Sequence, residues 1–213
     1  MHCELIVPGL LLPAASEARH PALEMLLARG RRESPESLTL EQWLHEAFEQ
    51  PGEALAAGAL AFAAQGGDPG DAWWARADPV HLRVLRDRVV VVPGEALQLA
   101  PAEAAELAAA LNRHFGDSFF FKPLDARRWT VRLKSERSLP GSPALTAAGR
   151  DVATSRDNDS LLTEIQMLLH SHPVNEAREA RGEPAVNSLW LWGAGRMPRA
   201  AHGPWRSVAA ADP

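Results

Sequence analysis

The sequence predicts a mixed α/β fold organised around an antiparallel sheet with a helix on one face, and three stretches carry that prediction. "PVHLRVL" alternates, placing Val80, Leu82 and Val84 on one face, and "RVVVV" (88–92) follows after a short turn. "APAEAAELAAALNRHFG" is an amphipathic helix with Pro101 in its first turn. Ala104, Leu107, Ala108, Leu111 and Phe115 line one side, and Gly116 lies at its end. "SFFFK" (118–122) and "RRWTVRL" (127–133) are two further strands, the second alternating Trp129, Val131 and Leu133 with polar residues. Strands, helix and strands in that order read as β-β-α-β-β, an α+β unit.

The flanking elements follow in chain order. "MHCELIVPGLLLPAAS" lacks a basic n-region, carries Glu4 and is broken by Pro8 and Pro13, so it reads as a buried strand over Glu4–Val7 rather than a signal peptide. "HPALEMLLARG" is a short helix with a Leu23, Leu26, Leu27 face and Gly30 at its end. In "SLTLEQWLHEAFEQPG", Thr39 and Gln42 form a capping-box pattern and Leu38 and Trp43 a hydrophobic staple. Trp43, Leu44, Ala47 and Phe48 form the buried stripe of that helix. The Ala-rich stretch after it breaks at "QGGDPGD" (65–71), the clearest boundary in the chain. Beyond the sheet unit, "SLPGSPALTAAG" is a linker, a helix covers about 159–170, and a strand covers about 187–192.

Composition narrows the function classes. A formal charge of −5 over 213 residues opposes nucleic acid or an anionic membrane as the main partner. A single cysteine, Cys3, excludes an internal disulfide and a multi-cysteine zinc site, and a reducing, cytoplasmic setting is expected. No apolar run reaches the length that spans a bilayer.

Several local patterns invite a chemical reading and fail on spacing. His170 and His172 are two apart and share no helical face, so they form no metal pair; no metal site is expected. "WLWGAGR" places Gly-x-Gly after an apolar strand, but Pro198 occupies the position of the third small residue of a dinucleotide fingerprint. What remains there is a pair of glycines that permits close backbone approach to a ligand, with Arg196 beside it. Ser118, Ser160, Ser171 and Ser188 sit in no nucleophile elbow, and no catalytic residue is assigned. "DAWWARADPVHL" combines a tryptophan pair with Arg76, Asp78 and His81. The strongest candidate is 172–187. Pro173 ends the preceding helix, and His172 and Asn175 are expected on a turn, with Arg178 and Asn187 completing a set suited to an anionic, oxygen-rich ligand. The expected ligand-binding set is His172, Asn175, Arg178, Asn187, Arg196, Arg76 and His81.

At these residues the chain resembles a known family. "HSHPVNEAREARGEPAVNSLWLWGAGR" is similar to the HPVN…R…G…AN…G-x-G segment of the archaeal-type, 2,3-bisphosphoglycerate-independent phosphoglycerate mutases. It resembles more closely the bacterial regulatory proteins of RpfE type, relatives of those mutases, as do "WWARADPVHLRVLRD" and "NDSLLTEIQMLLHSHPVN". The resemblance covers roughly 70–196. It implies a partial alkaline-phosphatase-like α/β core over 1–70, an inserted α+β substrate-domain-like region over 71–196, and an irregular tail over 197–213 returning toward the core. It also implies that His172, Asn175 and Arg178 lie near the pocket that holds phosphoglycerate in the mutases.

Three departures from the mutase pattern shape the functional expectation. "LIVPGLLLP" offers no carboxylate where the mutases carry a metal-binding Asp-Gly-x-x-Asp element. "VVVVPGEALQLAPAEA" replaces their arginine-rich phosphate element, and the chain stops at Pro213 before their further Asp and His ligands. Two-metal phosphoryl transfer needs both ligand sets. The expectation is therefore a non-catalytic cytoplasmic ligand-binding or regulatory protein with no cofactor, taking a small phosphorylated or carboxylated ligand and forming a homodimer through an exposed sheet edge or apolar surface. The alternative is a metal-dependent mutase or phosphatase whose ligands come from elsewhere; a truncated chain is the third reading.

Overall fold

The computed structural model describes residues 20–30, 40–48, 55–86, 88–116, 118–139, 160–199 and 207. The expected strand over Glu4–Val7, the Thr39 cap, the linker and most of the tail lie outside them. The elements are α1 (Pro21–Arg29), α2 (Leu40–Ala47), α3 (Ala57–Ala64), β1 (Trp73–Val84), β2 (Val89–Pro93), α4 (Gly94–Leu97), α5 (Pro101–Phe115), β3 (Phe119–Pro123), β4 (Trp129–Leu133), α6 (Ser160–His170), α7 (Pro173–Ala180) and β5 (Ser188–Gly195). The fold is mixed α/β, and every pairing in its five-stranded sheet is antiparallel.

Strand β1 is the spine. Trp74 and Arg76 have partners in both β4 and β5, and Val80 has partners in both β2 and β5. β5 therefore runs along one edge of β1, while β4 and β2 take successive stretches of the other. Between those stretches, residues 77–79 have no partner in β4 or β2. Pro79 sits in this gap, which explains how a residue without an N–H is accommodated in a central strand. The sequence reading began the strand at Pro79; the structure begins it at Trp73, because β4 and β5 hold the "WWARAD" stretch in register.

One face of the sheet forms the main core. Ala75, Ala77, Phe121, Trp129, Val131, Leu133, Leu189 and Leu191 meet Leu107 and Leu111 of α5 and Ile165 and Leu169 of α6. The expected buried side of α5 is realised, and its end is set by Gly116, at φ +56°. The opposite face packs Val80, Val91, Trp190 and Trp192 against Ala57 at the start of α3. That helix approaches closely. A Cβ on Gly58 would lie 2.3 Å from the backbone of Ala75, and one on Gly195 would lie 2.6 Å from the Ala56 side chain. The Gly-x-Gly of "WLWGAGR" thus makes room for α3, where the sequence reading had expected a ligand.

Two other expectations change. The Leu23, Leu26, Leu27 face of α1 is not a buried face: Leu26 and Leu27 are exposed and Leu23 is half-buried. The segment after His172 is helix α7 rather than a turn. Pro173 takes its first position, where the missing N–H costs nothing, and His172 is its N-cap.

Candidate functional site

The stretch with the strongest chemical signal folds as helix, helix and strand, and its polar side chains converge on one short piece of backbone, residues 184–187. His172 Nδ1 accepts the Val174 N–H at 3.2 Å, which starts α7. One turn in, the Asn175 amide nitrogen donates to the carbonyls of Leu169 and Val186, both at 2.8 Å, and its oxygen accepts the Val186 N–H at 2.8 Å. Asn175 is 1% exposed. His81 Nδ1 lies 2.9 Å from the Ala185 carbonyl. Asn187 accepts the Leu82 N–H at 2.7 Å and donates to the Leu82 carbonyl at 3.0 Å, so its side chain continues the β1–β5 ladder beyond the last paired residue, Ser188.

Arg178 completes this clasp and ties it to α5. It is fully buried; its Nε donates to the Pro184 carbonyl at 3.0 Å, and one terminal nitrogen donates to the Leu97 carbonyl. The other donates to Glu103 Oε2 at 2.7 Å. Glu103 also accepts from Arg181 at 2.7 Å and from the Ala100 N–H at 3.0 Å, which caps α5. Partial burial pushes the Glu103 carboxyl up, but the Ala100 amide and the Arg181 and Arg178 guanidiniums outweigh it and hold it below the ordinary range.

A second polar group lies in the gap of β1. Arg76 pairs with Asp78 and donates from Nε to the Trp129 carbonyl at 3.1 Å, while its guanidinium lies 5.5 Å over the Trp192 ring. Asp78 accepts the Trp129 N–H at 3.1 Å and the Trp192 indole N–H at 2.8 Å. The carboxylate thus fills the break between the β4 and β2 stretches and satisfies a backbone donor there. Burial raises its carboxyl above the usual value, against the pull of Arg76, Trp192 and Trp129.

The structure therefore sorts the expected ligand set into three places. His172, Asn175, Arg178, Asn187 and His81 gather around 184–187, Arg76 lies in the centre of the sheet, and Arg196 is exposed beyond the far end of β5, over Trp73 at 5.7 Å. The eight residues of β5, with nine residue-to-residue steps of about 30 Å in all, separate Arg196 from Asn187. They do not converge on one point. Glu103 and Trp192 are partners that the sequence does not single out, whereas Asp78 already stands with Arg76 in "DAWWARADPVHL". Glu103 and Arg178 are 75 residues apart, a pairing that helix and strand periodicity does not encode. Among the described residues no group of three or more His, Cys, Asp or Glu side chains is placed to hold a metal ion, and no helix is long and apolar enough to cross a membrane.

No family model matches the chain. A probable 2,3-bisphosphoglycerate-independent phosphoglycerate mutase of Geobacter sulfurreducens is 28% identical over 135 residues, 59% of this chain and 34% of that protein. The 2,3-bisphosphoglycerate-independent phosphoglycerate mutase of Pyrococcus abyssi is 28% identical over 134 residues, 56% of this chain and 32% of that protein. The chain is thus related to cofactor-independent phosphoglycerate mutases over part of its length, and it spans about a third of the curated relatives it matches. Among solved structures, the PH0037 protein of Pyrococcus horikoshii aligns with a TM-score of 0.47 and 18% identity, over 67% of this chain and 33% of that one. The cofactor-independent phosphoglycerate mutase of Thermoplasma acidophilum aligns at 0.45 and 19%, over 72% and 46%.

Proposed function

We propose that this chain is a non-catalytic, cytoplasmic ligand-binding or regulatory relative of the cofactor-independent phosphoglycerate mutases, of the RpfE regulatory type. Its sheet with α5 to α7 is the counterpart of the inserted α+β domain, and the remaining segments are part of an alkaline-phosphatase-like core. One observation carries the reading. In the segment that bears the family resemblance, Asn175 and Arg178 are buried and, with Asn187 and with His81 of β1, spend their polar atoms on backbone at 184–187 and at Leu82, so shape takes the place of chemistry. Of the expected site residues, Arg196 is the exposed guanidinium without an acceptor among the described residues, and a small phosphorylated or carboxylated ligand would be met there. A homodimer is part of the same proposal.

The described residues do not fit a catalytic metal. Both oxygens of Asp78 accept hydrogen bonds from Arg76, Trp129 and Trp192, and His81 Nδ1 is held at the Ala185 carbonyl. The alternative, a metal-dependent mutase or phosphatase with ligands supplied from elsewhere, is favoured by the names of the two curated relatives. Phosphoglycerate mutase and phosphatase assays with manganese or zinc separate the two readings. No turnover above buffer is expected. Metal-dependent turnover that disappears in His172→Ala, with the far-ultraviolet spectrum unchanged, would overturn the proposal.

A further inference from the structure

Between α6 and the ends of β1, β2 and β5 lies an open cleft of about 540 Å³, which the clasp borders only through Asn187. Its floor is Val80, Leu82 and Val84 of β1, and its wall includes Thr163, Met167 and His170, which share one face of α6. Its lining contains no aspartate, glutamate, lysine or arginine. Val84, 77% exposed, and Met167, 71% exposed, line the cleft from the two sides, so apolar surface continues from the floor out into solvent.

The end of the cleft carries charge. The β1–β2 hairpin that supplies Val84 and Val89 turns through "RVLRDR", and Arg83, Arg86 and Arg88 are all exposed. With Asp87 counted from the sequence the tip is net positive, in a chain whose formal charge is −5. An apolar concavity beside a basic tip selects for the opposite pattern, apolar anchors beside carboxylates. We propose that this cleft docks an acidic segment of a partner protein, with apolar side chains on the Val80–Val84 floor and carboxylates against the hairpin arginines. A peptide suits it better than an anionic bilayer, because the apolar floor is recessed and a flat lipid surface does not enter a cleft. This inference stands independently of the proposed lack of catalysis, since turnover is not its readout.

Fluorescence anisotropy tests it on the full chain. The probe is a fluorescein-labelled peptide of about 16 residues with leucines three and four apart and glutamates elsewhere. The control replaces each glutamate with lysine. Saturable binding of the acidic peptide is expected, at least about tenfold tighter than the control. Met167→Glu and the double variant Arg86→Glu/Arg88→Glu should each weaken it about tenfold while leaving thermal unfolding unchanged, because all three side chains are exposed. Equal affinity for both peptides, no saturation by about 1 mM, or insensitivity to both variants would overturn the proposal. So would binding to phosphatidylglycerol vesicles without peptide binding, which assigns the cleft to lipid. A dimer in light scattering that Met167→Glu dissociates would overturn it too, assigning the cleft to a second copy.

Discussion

At Asn175 a primary amide does the work of a peptide group, donating to and accepting from the backbone of Val186 while its second N–H holds the end of α6. Asn187 does the same at Leu82, and Asn112 at Phe121, with bonds of 2.7 and 2.8 Å. Each asparagine among the described residues is used this way. Asn175→Ala removes the side-chain partner of the Val186 N–H and carbonyl, while the Leu169 carbonyl keeps the His172 N–H, and should cost about 3 kcal/mol in urea unfolding. Asn175→Asp should cost more at neutral pH, because a buried carboxylate would then face two carbonyl oxygens. Glu103 sets a pH dependence. Its carboxyl is lower in the fold than in the unfolded chain, so its contribution is fully present above the unfolded value of about 4.3 and is lost as pH falls through the folded one. Urea midpoints measured across the acid range should therefore fall less steeply with decreasing pH in Glu103→Gln, which should also lose about 2 kcal/mol at pH 7, because the buried Arg178 keeps only the more distant Glu183 carboxylate at 3.5 Å.

Helix α3 illustrates what element-level reading captures and what it misses. Its composition is too uniform to show a face: "AGALAFAA" is small or apolar at every position, so the sequence marks an Ala-rich stretch without saying which side meets what. The answer lies in three glycines distributed over two elements, Gly58 on the helix and Gly193 and Gly195 on β5. Gly58→Ala would press a methyl into the Ala75 backbone, which has no side chain to move aside. A loss of about 3 kcal/mol is expected, at the upper end for overpacking, with a shift in the fluorescence of Trp190 and Trp192, which pack beside Ala57. A stability within experimental error of the parent would show that α3 is not seated there. The α1 face shows the opposite limit. Periodicity marked Leu26 and Leu27 as buried, yet an apolar stripe states only a capacity to pack.

For the whole molecule, the open question at the sequence level was the fate of the sheet edges. On β3 the middle residue, Phe121, has both its N–H and its carbonyl occupied by Asn112 of α5, so that edge is closed to a further strand at its centre. Asn112→Ala should reopen it, and static light scattering at rising concentration should then report self-association greater than in the parent chain. Unchanged scattering would mean that Lys122 and Pro123 guard the edge without help.

The sequence by itself determined the order and kind of the central elements, the buried side of α5 and the alternation of β4. These follow from periodicity and from local terminators such as Pro101 and Gly116, which act within a few residues. It also singled out His172, Asn175, Arg178 and Asn187, because polar residues crowded beside an apolar run demand an explanation. Only the tertiary structure decided what they do. Whether a buried asparagine or arginine meets a ligand or a carbonyl depends on groups brought near by the rest of the fold, Leu97 and Glu103 for Arg178 and Leu82 for Asn187. Those partners lie 75 to 105 residues away along the chain, beyond the reach of any local pattern.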